Sequence, residues 1–366
     1  MITKSVAEIN KYVGSSVNPM TTPDQIYELY SVPSFESGSP EIVSGADIGS
    51  TKVVVEDGDI LICKINPRIN RVWVVHHNTE YPLLASSEWI VVRNATMNSD
   101  YLKWYFSSPI FHTLLTSQVT GIGGSLTRAQ PKQVAKYPVP IPSRDEQDYV
   151  ANILTCIDNL IRKYQQCIIS IDQLVKSRFI EMFGDPKLNP RKWDMVTIGD
   201  IATDVRYGTS RPATEGGKYP YLRMNNLTYE GHLDLTDLKH IDIPDNEIEK
   251  CVVRNGDVLF NRTNSVELVG KTCVYNLDSD MIIAGYIIRV RIDDRVLPVI
   301  LSSYLNSTVM KEQLRSMAKG AVNQANINAQ ELRSISIYLP PITLQHEFAT
   351  FVEQVDKSKY HGEFTC

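Results

Sequence analysis

The chain has 366 residues, 43% of them hydrophobic, so it is long enough for two or three domains with cores of their own. Its formal net charge of −5 argues against a surface that is basic throughout and confines any nucleic-acid contact to local patches. The six cysteines form no Cys-x-x-Cys pair, which excludes common zinc and disulfide frameworks and predicts reduced thiols in the cytoplasm. The N-terminus lacks an apolar leader and no apolar run approaches the ~18 residues of a membrane helix, so no membrane contact is expected.

The first predicted domain covers residues 1–142 and is mostly β. Its clearest signal is the segment EDGDILICK at 56–64, in which a Gly-Asp turn separates apolar runs, as in a β-hairpin. A chemical role for Asp59 is the alternative, but no catalytic companion lies near it in the sequence. We therefore interpret the turn as structural, with glycine at positive φ and the aspartate bonded to the backbone.

The glycine-containing segment GIGGSLT at 121–127 does not match a known ligand-binding loop. It has neither the strand–helix context nor the Gly-Lys-Ser/Thr ending of a phosphate loop, so we interpret it as a flexible loop. His76 and His77 would point to opposite faces of a strand and could not easily share a metal ion. No metalloprotease, serine hydrolase or kinase motif is present, and we expect no catalysis by this chain.

Residues 143–183 are predicted to form one continuous helix. Ser143 and Glu146 match a capping box, Gly184 and Pro186 provide a stop signal, and no proline or glycine lies between. Such a helix would be about 60 Å long. Its apolar residues recur at alternating steps of four and three, which favours a coiled-coil seam over an ordinary core helix. The seam consists of Val150, Leu154, Ile157, Ile161, Tyr164, Ile168, Ile171 and Val175.

The second predicted domain, residues 184–340, repeats the first. Gly58 and Asp59 correspond to Gly256 and Asp257, and the offset between the two copies stays at 198 or 199 positions as far as the helix that follows each copy. A period this long indicates a duplicated domain and not a solenoid repeat. The polar loops at 120–130 and 319–328 are equivalent in position but different in sequence, which suits two domains that read different ligands.

The segment 341–366 follows Pro340 and Pro341 and begins a second seam, formed by Leu344, Phe348, Phe351 and Val355. We expect it to pair with the central helix as an antiparallel coiled coil. Because its apolar pattern stops near Lys359, it would leave part of the central seam for another partner or a second copy of this chain to cover. The expected fold class is α+β, with two duplicated, mostly β domains separated by long helices.

Basic and amide side chains cluster locally in both copies. Arginine with asparagine or glutamine can bond the edges of guanine and adenine, and tyrosine can stack, so these residues are candidates for DNA contact. Solvated loop faces are the alternative interpretation. The candidates are Lys64, Arg68, Arg71 and Arg128 in the first copy and Arg206, Tyr207, Arg211, Arg223, Asn225, Asn226, Arg262, Asn264 and Lys319 in the second.

The order of these features resembles the specificity subunit of a type I restriction-modification system. The segments that carry the resemblance are GDILICK and GDVLFNRT, the helix entries PIPSRDEQ (140–147) and LPPITLQHEFA (339–349), and residues 177–202, which are similar to the family's passage from the central helix to the second domain. Together they span nearly the whole chain.

The resemblance implies two target-recognition domains that each read one half of a split DNA target. The helices would set the spacing and dock two methyltransferase subunits, and restriction or translocase subunits would join through the complex. No cofactor is expected in this chain, because S-adenosylmethionine, ATP and Mg²⁺ belong to the partner subunits. Since the distal helix is shorter than the family's, a truncated, stand-alone or regulatory DNA-binding protein is the alternative, and an enzyme with an unrecognised site is a further one.

Overall fold

A computed structural model describes residues 2–120, 127–321 and 324–363, without the side chains of 319–321, 324 and 360–363. The chain divides into two compact units, residues 1–163 and 164–366. Most of the loop interpreted above as flexible, 121–127, lies outside the described residues. Among the helices described, none is long and apolar enough to cross a membrane.

The first unit combines short strands with helices. The strands are β1 (Ile2–Ser5), β2 (Ser16–Val17), β3 (Ile26–Tyr30), β4 (Glu41–Ser44), β5 (Lys52–Val54), β6 (Ile60–Cys63), β7 (Val72–Val74), β8 (Leu83–Ala85), β9 (Trp89–Val92), β10 (Val119–Thr120), β11 (Arg128–Ala129) and β12 (Pro138–Ile141). The helices are α1 (Val6–Ile9), α2 (Ser99–Ser107), α3 (Pro109–Ser117), α4 (Pro131–Val134) and α5 (Arg144–Phe183), the last of which continues into the second unit.

Strand β6 separates two cores of the first unit. It is the middle strand of a sheet with the order β7-β6-β9. Successive side chains of a strand point to opposite faces, so Ile60 and Ile62 join the core that contains Phe106 of α2. Leu61 joins a second core with residues of the five-stranded sheet β2-β5-β8-β3-β4. Burial on both faces explains why this strand is continuously apolar.

The second unit repeats this architecture. Its strands are β13 (Asp194–Thr197), β14 (Ala202–Tyr207), β15 (Tyr219–Leu222), β16 (Lys239–Ile241), β17 (Val252–Val253), β18 (Val258–Asn261), β19 (Thr263–Asn264), β20 (Thr272–Val274), β21 (Met281–Ile283), β22 (Ile287–Ile292), β23 (Lys319–Ala321), β24 (Gln324–Asn326) and β25 (Ser336–Leu339). Its further helices are α6 (Ile198–Ile201), α7 (Asp245–Cys251), α8 (Pro298–Asn306), α9 (Thr308–Met317), α10 (Ala329–Arg333) and α11 (Ile342–Glu363).

The duplication read from the sequence is confirmed by strand pairing. In the first unit β1 pairs antiparallel with β12, and in the second β13 pairs antiparallel with β25. Both opening strands lead into a one-turn helix with a capping box, Ser5 with Glu8 and Thr197 with Asp200. Because the first and last strands of each copy are partners, each copy closes on itself before a long helix begins. The expected α+β class, with two repeated parts and long helices, is confirmed.

The predicted continuous helix is confirmed as α5, and α11 runs antiparallel to its end. Phe348 of α11 lies with its ring centroid 5.5 Å from those of both Phe179 and Phe183. Further along α11, the Nζ of Lys359 lies 2.6 Å from the Oδ1 of Asp172. The contact at Phe348 therefore involves phenylalanines of α5 that follow the predicted seam, because α11 starts beside the C-terminal end of α5.

The predicted seam of α5 is mostly uncovered. Val175 packs on the core that contains Phe348, whereas Ile171 is half-buried. The other six seam residues are 36% to 50% exposed. They are Val150, Leu154, Ile157, Ile161, Tyr164 and Ile168. On α11, Leu344 packs on the same core, while Phe351 and Val355 are half-buried. The apolar face of α5 is thus a surface of the isolated chain.

Candidate nucleic-acid interface

Three chain segments meet at the end of β6 and of β18 with the same backbone hydrogen bonds. In the first unit the N–H of Lys64 donates to the carbonyl of Glu88 at 3.0 Å, and the N–H of Ala129 donates to the carbonyl of Lys64 at 2.8 Å. In the second unit the N–H of Arg262 donates to the carbonyl of Tyr286 at 2.9 Å, and the N–H of Ile327 donates to the carbonyl of Arg262 at 2.9 Å. The paired positions have the offset that separates Gly58 from Gly256.

We name these places the first corner, formed by Lys64, Glu88 and Arg128, and the second corner, formed by Arg262, Tyr286 and Asn326. Each contains a residue that follows a buried strand, one from the turn before β9 or β22, and one from β11 or β24. The two corners share a backbone arrangement but differ at all three side chains.

The second corner holds a guanidinium group on neutral partners. The guanidinium carbon of Arg262 lies 4.8 Å from the ring centroid of Tyr207, and its Nη2 donates to the Oδ1 of Asn326 at 3.1 Å. Tyr207 is fixed in turn, since its hydroxyl accepts the N–H of Ala329 at 2.7 Å. Tyr207 is 42% and Tyr286 50% exposed, which brings aromatic surface next to a cation. Such a combination suits stacking on, or hydrogen bonding to, nucleobases.

The first corner has a different chemistry. The Nη2 of Arg128 forms an ion pair with the Oε1 of Glu88 at 3.1 Å. Lys64 is half-buried, and Asn66, two residues further along, has a positive φ of 45°. The first corner therefore carries both positive and negative charge, from its lysine, glutamate and arginine. The second corner has arginine, tyrosine and asparagine at the equivalent positions.

Four of the predicted DNA-contacting arginines, besides Arg128, lie in ion pairs of the chain itself. When a carboxylate accepts hydrogen bonds from a guanidinium group, fewer of its N–H donors remain for a DNA acceptor. The pairs and their N–O distances are Arg71–Glu36 at 3.1 Å, Arg206–Asp204 at 2.8 Å, Arg211–Glu247 at 2.7 Å and Arg223–Asp237 at 2.7 Å. Hydrogen bonds with Asp204 and Glu247 raise the pKa values of Arg206 and Arg211 above their ordinary value.

Among the predicted asparagines, Asn226 is buried and serves the local fold. Its side-chain oxygen accepts the N–H of Arg223 at 2.8 Å, and its amide donates to the carbonyl of Asp234 at 2.7 Å. Asn264 is half-buried and donates to the Oδ1 of Asn261 at 2.9 Å. Asn225 and Arg68 are exposed. The side chain of Lys319 lies outside the described residues.

Sequence reasoning brought Arg262 and Tyr207 into one group but missed three corner residues, Glu88, Tyr286 and Asn326. A signal for them exists, because Glu88 and Tyr286, like Arg128 and Asn326, stand at equivalent positions of the two copies. Within the described part of the chain, no three His, Cys, Asp or Glu side chains are grouped to hold a metal ion.

Comparison with known proteins agrees with these features. Residues 190–361 match the family model described as the type I restriction modification DNA specificity domain. The chain is 23% identical over 278 residues to the type I restriction enzyme EcoKI specificity subunit of Escherichia coli K12, an alignment of 70% of this chain and 58% of that protein. It is 29% identical over 171 residues to the putative MjaX specificity subunit of Methanocaldococcus jannaschii, an alignment of 46% of this chain and 40% of that protein.

Solved structures share the fold at low sequence identity. A chain from a structure described as the basis of complex assembly and conformational transition of the type I R-M system has a TM-score of 0.52 and 19% identity, covering 98% of this chain and 91% of that chain. The type I restriction-modification S subunit from M. genitalium has a TM-score of 0.53 and 12% identity, covering 98% of this chain and 90% of that chain.

Residues 190–361 are therefore similar to the type I restriction modification DNA specificity domain. The resemblance of the chain to type I restriction-modification specificity subunits, inferred above from its motifs, is confirmed by the curated relatives. The chain spans less than two thirds of the length of the curated relatives named above.

Proposed function

We propose that this chain is the DNA specificity subunit of a type I restriction-modification complex, in which each unit reads one half of a bipartite target. The observation that carries the proposal is the duplication. Two copies keep the same strand pairing and capping boxes, whereas the side chains at the two corners differ. A scaffold that is kept while its surface changes suits two readers of two different sequences.

We also propose that α5 and α11 set the distance between the half-targets and that α5 docks methyltransferase subunits. The support is the apolar face of α5, where Ile157 is 48% and Ile161 50% exposed. Exposed apolar surface of this extent is typical of a protein interface. The chain itself is non-catalytic in this proposal. S-adenosylmethionine, ATP and Mg²⁺ belong to the partner subunits, and restriction or translocase subunits join through them.

Exchange of residues 184–340 for the equivalent segment of a relative tests the reading of half-targets. Sequencing of methylated sites in cells that make the complex should show one half of the target changed and the other kept. The matched exchange of residues 1–142 should change the opposite half. A change in both halves from either exchange, or in neither, would contradict the proposal.

The docking surface has its own test. Replacement of Ile157 and Ile161 by glutamate should abolish copurification of methyltransferase subunits with the tagged chain while leaving its thermal midpoint within about 2 °C, since both side chains are exposed. Gln165→Glu and Gln166→Glu, in the exposed stretch of α5, form the matched control. Unchanged copurification of the isoleucine variant would show that the partners bind elsewhere.

A further inference from the structure

We propose that the two corners are the points at which the two units discriminate between DNA sequences, and that Arg262 contacts the edge of a guanine. In this arrangement Tyr207 and Asn326 are positioning residues that orient the guanidinium. The inference rests on the proposed function, because it assigns to named side chains the reading that the whole chain is proposed to perform.

The two copies share an ion pair with a buried aspartate but differ in the side chains of their corners. Asp59 pairs with Arg93, and at the equivalent positions Asp257 pairs with Arg291. At the corners the backbone hydrogen bonds are kept instead, and all three side chains are replaced. A fixed backbone with replaced side chains is the arrangement expected where the ligand, and not the fold, determines the residue.

Arg262 differs from three other candidate arginines in the charge of its partners. Arg206, Arg211 and Arg223 each have a carboxylate partner, but no carboxylate of a described residue forms an ion pair with Arg262. Its partners are the ring of Tyr207, the Oδ1 of Asn326 and the carbonyl of Gly285, at 3.4 Å from Nη1. Neutral partners orient the group without neutralising its charge. A pre-oriented arginine that keeps its charge is suited to bond the O6 and N7 atoms of guanine.

Arg262 has a fixed backbone position next to exposed aromatic side chains. The buried strand β18 ends at Asn261, and the N–H and carbonyl of Arg262 are both bonded to neighbouring segments. The residue therefore has a fixed backbone immediately beside exposed Tyr207 and Tyr286. Because its backbone is fixed and its neighbours are exposed aromatic rings, the Arg262 side chain should lose less conformational entropy when it binds DNA.

Selection from a random duplex DNA library with the full chain tests the inference. Wild-type protein should enrich a two-part sequence, and Arg262→Ala should lose the preference at one or two positions of one half. Binding of the selected duplex should fall about tenfold or more, while binding of an unrelated duplex changes less than about threefold. Arg262→Lys should lose the same preference, because lysine keeps the charge without the fork.

Substitution in the DNA makes the assignment specific. With 7-deazaguanine at each guanine in turn, one position should weaken wild-type binding severalfold and leave Arg262→Ala unaffected. Tyr207→Leu, which removes the ring under the guanidinium, should weaken the same preference. Arg254→Ala, at an exposed arginine that is paired with Glu249, should keep the full preference.

The possible results test the role of Arg262 and the proposed function separately. A selected sequence that is the same for wild type and Arg262→Ala overturns the role of Arg262, and equal sensitivity of both proteins to every 7-deazaguanine does the same. Failure of the wild-type chain, with and without methyltransferase subunits, to enrich any sequence overturns the proposed function and this inference with it. Circular dichroism of each variant at the assay temperature identifies a variant that has unfolded. If Arg262→Ala has unfolded, the sequence preference of Arg262→Lys decides whether Arg262 reads the DNA.

Discussion

Asp59 binds Arg93 with both carboxylate oxygens, at 2.8 Å from Nε and 2.7 Å from Nη2. One of these oxygens also accepts the N–H of Glu56 at 2.8 Å, which closes the Gly-Asp turn. Gly58 in that turn has a φ of 83°, as expected for glycine at this position. Asp257 bonds the N–H of Arg254 in the same way in the second unit. The structural interpretation of the Gly-Asp turn is thus confirmed.

The buried carboxylate of Asp59 should matter far more than an exposed one on the same arginine. Asp59→Asn leaves Arg93 without its charged partner inside the fold and should lower the free energy of unfolding of the first unit by about 2–4 kcal/mol. Glu56→Gln removes only the exposed pair with Arg93 and should cost less than about 1 kcal/mol. Urea titration followed by tryptophan fluorescence compares the two variants, and equal losses would contradict the expectation.

Phe348 should anchor α11. Its side chain is fully buried against Phe179 and Phe183, so Phe348→Ala opens a cavity and should cost about 3–5 kcal/mol. Phe351 on the same helix is only half-buried and contacts Arg178, and Phe351→Ala should cost clearly less. Thermal unfolding of both variants measures the difference. A smaller effect at position 348 than at 351 would place the anchor elsewhere.

Asp172 should stabilise the second unit in a pH-dependent way. Burial disfavours its charged form, but hydrogen bonds with His232 and Lys359 outweigh this effect, and its pKa lies below its ordinary value. A lowered carboxyl pKa means that the stabilisation is complete above about pH 4 and is lost as the pH falls through the folded-state pKa. Asp172→Asn should therefore lower the thermal midpoint at pH 7, and the difference from wild type should shrink below about pH 4.

The control for Asp172 uses the same lysine. Asp356 lies 3.8 Å from the Nζ of Lys359 and its side chain is 40% exposed. Asp356→Asn should change the midpoint by less than about 2 °C at any pH between 4 and 7. A loss of the same size in both variants would mean that Lys359, and not the buried position of Asp172, governs the effect.

Lys311 should make the second unit less stable at neutral pH than in mild alkali. Burial, followed by repulsion from Lys176, Lys271 and Arg315, lowers its pKa to about 7. Because the folded state disfavours the protonated amine, stability should rise with pH between about 7 and 10. Lys311→Met should flatten that rise and stabilise the protein at pH 7 by about 1–3 kcal/mol, since the carbonyl of Gly270 keeps a hydrogen bond from Thr272. Lys250→Met, at an exposed position, should leave the pH profile unchanged.

The sequence allowed the repeated parts of the fold to be predicted, because periodicity and duplication are local or internal signals. The helix 143–183 and the turn at Gly58 depend on such signals. Side-chain contacts between distant segments leave no such signal in the sequence. This explains why the predicted set of DNA-contacting residues was incomplete. Arg262 was found by its chemistry, whereas Asn326 becomes a candidate only when β24 brings it to Arg262. Likewise, the heptad pattern predicts which residues form the apolar face of α5, but it does not predict which of them α11 covers. The domain borders at 142, 183 and 340 stay predictions.

The pairing of β1 with β12 has a consequence for the order of events during synthesis. The residue at position 2 has its partner at position 141, so the first unit cannot close until nearly all of it has been made. Contacts of such large sequence separation slow folding, because the loop entropy is lost before the pairing forms. The strand β1 leaves the ribosome before β12 and must stay unpaired through this interval. Its ITKS sequence, short and with one lysine, is suited to remain soluble while it waits.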